Sequence, residues 1–313
     1  MHTDFEQLLS RDPDYYRAEH LSLCFDPRET TLEQAIRTLC DNAEAAVRAG
    51  AVLVVLSDRQ ISPDTLPIPA PMAVGAVQQR LVSQSLRCDA NIIAETAGAR
   101  DPHHFAVLLG FGATAIYPYL ACESLLKLCS DNVLTHSPAQ VLLNYRNGIN
   151  KGLYKIMSKM GISAVSSYRC AKLFEAVGLS DSVAEFCFRG VPNRIGGADF
   201  SDFQQDLHNL SRLAWLPRKP LDAGGLLKYI HNSEYHAYNP DVIATLQKAV
   251  HSGHYADYQH YAALVNGRPA AMLRDLLALR TDTQPISIDE TESAESLFSR
   301  FDTAAMSIGA LSP

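Results

Sequence analysis

Two histidines stand side by side at His103 and His104, and two more, His251 and His254, are three residues apart. Helix neighbours point about 100° away from each other, so the first pair cannot share a metal on a helix. No carboxylate turns the second pair into an HExxH-type zinc site, so ordinary hydrogen bonding is expected at both. Five histidines and six tyrosines between residues 229 and 261 have the make-up of an interface or packed loop. Two acids are better placed for chemistry. Asp58 follows the apolar run AVLVVL and Glu95 ends ANIIAE. Strand ends are where α/β enzymes hold catalytic groups, and two acids there could move protons. The same positions suit bonds to loop amides or to Arg59 and Arg100, which is the expectation. There is no GxSxG elbow, and Cys170 and Cys187, in apolar settings, are expected to be inert core thiols. Gly110-Phe111-Gly112 follows a helix pattern and lacks a third glycine, so it is no dinucleotide fingerprint, and no GxxxxGK[ST] occurs.

The elements around these residues follow from periodicity. Leu32, Ala35, Ile36, Leu39, Ala43, Ala46 and Val47 recur at helical spacing, predicting a helix over 31–49 that Gly50 ends. Strands are predicted at 51–56, 90–95 and 113–117, with helices at 72–85 and, capped by Asp101, up to Leu109. Four prolines between 61 and 71 exclude a helix there. Further helices are expected at 137–153, 153–160, 171–177, 202–214 and over 239–280. A short strand is expected at 162–166, a turn at Gly196-Gly197, a boundary loop at 216–226, a short helix at 292–301 and a strand-like run at 303–308. Strand and helix alternate as in a parallel α/β fold, and periodicity leaves a barrel and an open doubly wound sheet both open.

The chain has 313 residues and a formal charge of −7, from 27 basic and 34 acidic side chains. That balance disfavours nucleic acid and anionic membrane surfaces as partners. No apolar run approaches the ~20 residues a bilayer requires. Seven cysteines, with no CxxC pair, indicate a reducing, cytoplasmic setting and argue against a zinc or iron–sulfur site within this chain. The apolar run TAAMSIG close to Pro313 creates the expectation that the chain is a piece of a longer protein.

Several ordered blocks carry a resemblance. PIPAPMAVGAV (67–77), HHFAVLLGFGATAIYPYL (103–120), GINKGLYKIMSKMGISAVSSYR (148–169), AKLFEAVGL (171–179), EYHAYNPDV (234–242) and RFDTAAMSIGALS (300–312) resemble the large subunit of glutamate synthase. The match covers nearly all of the chain beyond about residue 30. Departures from the family pattern are Gln78-Gln79-Arg80 where histidines are usual, Cys170 where glycine is usual, and Val191-Pro192-Asn193. A cysteine in place of glycine is costly if φ is positive there.

The resemblance implies α/β architecture: parallel βα repeats in an incomplete or modified TIM-barrel-like domain with extra helices. It implies that residues 1–296 form the central domain, with 1–30 a poorly matched leader, and that 297–313 begin the FMN-binding synthase domain. It implies a scaffold that joins a glutamine amidotransferase domain to the FMN synthase domain and helps wall an ammonia tunnel. The parent reaction makes two L-glutamate from L-glutamine, 2-oxoglutarate and reductant. FMN and an iron–sulfur cluster belong to the parent, with no catalytic, cofactor or metal residue expected in this chain. Small groups at strand exits suit a conduit wall, and Ser57, Asp58, Thr96 and Thr114 are the candidates. The alternative is a free-standing barrel-like enzyme binding a small anionic substrate through Asp58, Glu95 and Arg100.

Overall fold

The computed structural model describes Phe5, Gln7 and residues 15–217, 227–280 and 284–301. The chain divides into two compact units, Met1–Lys219 and Pro220–Pro313.

The first unit is built on four parallel strands, β1 (Ala18–Ser22), β3 (Leu53–Ser57), β5 (Asn91–Glu95) and β6 (Ala115–Tyr117), ordered β1-β3-β5-β6. Each pairs with the next in an unbroken register, as Leu53 opposite Asn91 and Ser57 opposite Glu95 show. Helices α1 (Leu32–Arg48), α2 (Ala70–Ser83) and α3 (Pro102–Gly110) are the crossovers between successive strands. Sequential parallel order with a helix after each strand is the barrel type of winding rather than the doubly wound one, which reverses direction. Among the described residues the sheet does not close. A short antiparallel pair, β2 (Cys24–Phe25) with β4 (Leu66–Pro67), borders the strand ends.

The period of two along each strand separates the faces. Val54, Leu56, Ile92 and Ala94 face the helices and join the main core with Leu32, Ile36, Leu39, Val74, Val77 and Leu81. Leu53, Val55 and Ile93 face the other way and meet Phe5, Tyr117 and Tyr119. Side-chain oxygens cap the crossover helices. Thr31 and Gln34 form a reciprocal box at α1, and Asp101 accepts from the backbone of His103 and His104 at α3.

Beyond β6 come α4 (Tyr119–Ser130), α5 (Pro138–Lys159), the single turn α6 (Val165–Tyr168), β7 (Ala176–Leu179), α7 (Asp181–Cys187), β8 (Asn193–Ala198) and α8 (Phe200–Ala214). The second unit holds α9 (Pro240–Ser252), α10 (Tyr255–Asn266) and α11 (Ala294–Phe298), with a left-handed Gly253 capping α9.

The structure corrects several expectations. β1 lies within the supposed leader, where its polar sequence AEHLS hid a strand held by pairing to β3. α4 was not expected. One helix of 22 residues replaces the two predicted over 137–160. The strand expected at 162–166 is absent, and the chain there turns into α6, whose Tyr168 is buried against Ala106, Leu109 and Met157. The helix expected at 171–177 is replaced by β7, because Cys170 (φ +59°) and Lys172 (φ +55°) are left-handed and break a helix. Gly196-Gly197 is no turn but part of β8, where the Gly178 carbonyl oxygen would lie 2.3 Å from a side chain at 197. α2 begins at Ala70, with Pro71 in its first turn. The run expected at 303–308 lies outside the described residues.

Candidate functional site

The ends of β3 and β5 bring Ser57, Asp58, Glu95 and Thr96 together. Asp58 is buried, and its carboxylate accepts the Thr96 hydroxyl at 2.5 Å and the Ala97 amide at 3.0 Å. Thr96 in turn accepts from the Gly98 amide at 3.1 Å, and Ser57 Oγ accepts from the Arg59 amide. Glu95 is equally buried and takes a 2.5 Å bond from Arg59 Nε. Arg59 also reaches Glu123 at 2.9 Å and lies 4.2 Å over the Tyr119 ring. Burial weakens this guanidinium's hold on its proton, but the bonds to Glu95 and Glu123 outweigh it and the pKa rises. Burial, reinforced by Asp58, pushes the Tyr119 phenol well above its ordinary range. Arg59 was expected as a partner of these acids and is Glu95's, whereas Tyr119 and Glu123 were missed in the sequence. Their only signal is an arginine directly after a strand exit.

Beside these groups is a cleft of ≈ 510 Å³. The first turns of α2 and α3 wall it with Pro69, Ala70 and Pro71 on one side and Arg100, His103 and His104 on the other. His104 Nδ1 accepts the Arg100 amide at 3.2 Å and closes the α3 cap, while His103 is exposed. One of the pair is thus hydrogen-bonded and half-buried and the other is at the surface. In the second unit His251 Nδ1 bonds the Gln247 carbonyl at 2.7 Å.

Thr114 does not belong to this group. It precedes β6 and donates its amide to Ile92, at the entry end of the sheet, with Arg87 and Arg169 at its hydroxyl. Its placement at a strand exit is thereby corrected. Cys187 is buried as expected, whereas Cys170 is exposed, contrary to the expectation of a core thiol. Among the described residues no three His, Cys, Asp or Glu side chains are grouped to hold a metal.

The family model of the glutamate synthase central domain matches residues 1–180, and that of a conserved region in glutamate synthase matches 236–313. The chain belongs to the glutamate synthase family. It is 38% identical over 294 residues to the ferredoxin-dependent glutamate synthase of Pyropia yezoensis, covering 90% of this chain and 19% of that protein. It is 38% identical over 283 residues to the glutamate synthase [NADPH] large chain of Bacillus subtilis, with the same coverage. A ferredoxin-dependent glutamate synthase of Arabidopsis thaliana matches at 38% over 315 residues, 95% of this chain and 19% of its own. The chain thus spans about a fifth of the relatives' length.

The departures from the glutamate synthase pattern have structural partners. Gln78 accepts from Arg87 Nε and lies where a side chain at Gly112 (φ +119°) would be. Arg80 pairs with Asp41 and Glu44. Cys170 has φ +59°, so the cysteine bears about 1 kcal/mol that a glycine would not.

Proposed function

We propose that this chain is the central scaffold of a glutamate synthase, joining the amidotransferase and FMN synthase domains and helping to wall the ammonia conduit between them. The parent would make two L-glutamate from L-glutamine, 2-oxoglutarate and reductant. FMN and the iron–sulfur cluster would reside in its other parts. No step of that reaction is routed through a described side chain of this one.

The observation that carries the reading, beside family membership, is the state of the two strand-end acids. Asp58, at the wall of the cleft, is bonded to a loop and Glu95 is paired with Arg59, so both acids already have partners. That speaks against the free-standing enzyme built on Asp58, Glu95 and Arg100. A conduit wall, by contrast, requires rigid polar groups already bonded, which do not protonate passing ammonia. Ser57, Asp58 and Thr96 have that character, and Thr114 would have to act from the other end of the sheet. Leu273, Leu277, Leu279, Ile288 and Phe301 are largely exposed in the second unit, as residues covered by a further domain would be. We place the parent in the cytoplasm on the strength of its free cysteines. No helix among the described residues is long and apolar enough to cross a membrane.

Two assays test this. The 313-residue chain alone should form no glutamate from glutamine, 2-oxoglutarate and reductant, and turnover by it would refute the scaffold reading. In the parent, Ser57→Leu and Thr96→Val should raise the ratio of glutamine hydrolysed to 2-oxoglutarate consumed above one, as ammonia escapes. A ratio that stays at one in both removes these residues from the conduit.

A further inference from the structure

The surroundings of Thr114 have no part in the reading above. Its hydroxyl lies 3.5 Å from Arg87 Nη2 and 3.3 Å from Arg169 Nη1, so the two guanidinium nitrogens are within about 7 Å of each other. Arg87 is locked in place. Its Nη1 donates to the Ala90 carbonyl at 2.6 Å, its Nη2 to the Gly112 carbonyl at 3.0 Å and its Nε to Gln78. Every one of these acceptors is neutral. Arg169 is held by its flanks, with Tyr168 buried before it and the Cys170 amide bonded to the Gly110 carbonyl after it. Its side chain is half-buried, and among the described residues the Thr114 hydroxyl is its one hydrogen-bond acceptor. Most of its donors are therefore left over.

Neither arginine has a carboxylate within 4 Å among the described residues. Among the described residues this sets them apart from the other half-buried arginines, Arg80 and Arg268. Arg59 has Glu95 and Glu123, Arg80 has Asp41 and Glu44, and Arg268 has Asp275. Burial and the nearby Arg169 both depress the Arg87 pKa, so like charges are held together here at a cost. The component that would relieve this is an anion. An anion bonded to the free donors of Arg169 would lie beside the fixed charge of Arg87, whose Nη2 is already bonded to Gly112 and Thr114. Thr114 accepts from both arginines, which leaves its own proton free to donate to the same anion.

We propose that Arg87, Arg169 and Thr114 form a binding site for a small oxyanion, bearing a carboxylate or phosphate group, at the strand-entry edge of the sheet. The site is independent of the scaffold role and lies at the end of the sheet opposite Asp58. It takes the ligand by the free donors of Arg169 and the Thr114 hydroxyl, beside the fixed charge of Arg87, so it prefers oxyanions to chloride.

The test uses the whole chain labelled with 15N-arginine. Inorganic phosphate, and separately glutarate, replace sodium chloride at constant ionic strength, and the arginine Nε–Hε resonances are followed. Saturable shifts confined to two arginine resonances are expected with at least one probe. Arg169→Gln should remove one of them and weaken binding tenfold or more, and Arg169→Lys should fall between. Arg28→Gln, which loses an exposed partner of Asp26, should bind as wild type does. Absence of saturation with both probes, or equal binding by Arg169→Gln, overturns the site. Should that variant not fold, the wild-type resonances decide alone, since shifts spread over all arginines would equally overturn it.

Discussion

Asp58 should hold the strand-end loop by hydrogen bonds rather than by charge, and this can be measured. Asp58→Ala leaves the buried Thr96 hydroxyl without its acceptor and the Ala97 amide without its own. A buried polar group stripped of its partner costs about 1–3 kcal/mol. The Thr96 hydroxyl bears the larger share, and the half-buried Ala97 amide brings the sum to about 2–5 kcal/mol, reduced somewhat because the variant no longer buries a carboxylate. About 3 kcal/mol is the central value, which for a unit of this size lowers Tm by roughly 6–12 °C. Asp58→Asn keeps an oxygen for the Ala97 amide and places its NH2 beside the Thr96 hydroxyl, which can rotate to accept. It should cost about 1 kcal/mol and roughly 2–4 °C. Thermal unfolding of the three proteins by circular dichroism decides the matter. A loss under about 2 °C for Asp58→Ala would refute the claim that these bonds carry the loop. Equal losses for Ala and Asn would refute the ranking of hydrogen bonds over charge.

Three further outcomes are expected. Gly148 and Gly152 lie one turn apart on α5; Gly148→Ala meets nothing within 4 Å and should stabilise by about 1 kcal/mol, whereas Gly152→Ala would place Cβ 2.3 Å from the Pro102 ring and should destabilise by about 1–3 kcal/mol in urea titration. Cys88 and Cys170 should react with a disulfide reagent in the native protein, while Cys187 and Cys40, whose thiol burial pushes up to about 11, should react only on unfolding. The amides of His104 and His103 hold the Asp101 carboxyl below its ordinary range. Its contribution is therefore complete above the unfolded value of about 3.9 and is lost as pH falls through the lower folded value; Asp101→Asn should keep the cap and remove that part of the acid dependence of denaturant unfolding.

Where local pattern and tertiary environment agree, the sequence is legible. α1 has a helical apolar stripe, a capping box and a terminal glycine, and it forms as expected. β3 and β5 are apolar runs buried on both faces, which is visible in composition. β1 and β7 were illegible because their strand character comes from a partner. AEHLS has three polar residues in five, and AVGL follows a stretch with good helix formers. Only pairing with β3 and β8 decides them, and no single segment contains that information. The candidate site divides in the same way. Asp58 and Glu95 were visible as acids at strand ends. Which of the possible partners each would choose depended on Arg59 folding back over Tyr119, a contact across 60 residues of chain. Thr114 was misplaced because a small polar residue before a short strand and one after it look alike.

The two faces of the sheet explain how four strands of barrel winding stand without closing among the described residues. In a closed barrel the inward side chains of all the strands fill the interior. Here Val55 and Ile93, which would point into that interior, are already buried. Phe5 stacks on Tyr117 at 4.5 Å, and Tyr119 completes the cover. Three aromatic rings thus do for the inner face what further strands would do, and each brings a large apolar area for few residues. The consequence is that the strand-end loops are fixed from both sides, by Arg59 clamped over Tyr119 on one and by Asp58 bonded to Ala97 on the other. An enzyme's strand ends keep groups unpaired so that a substrate can pair with them. These are pinned in place, as the scaffold role proposed above requires.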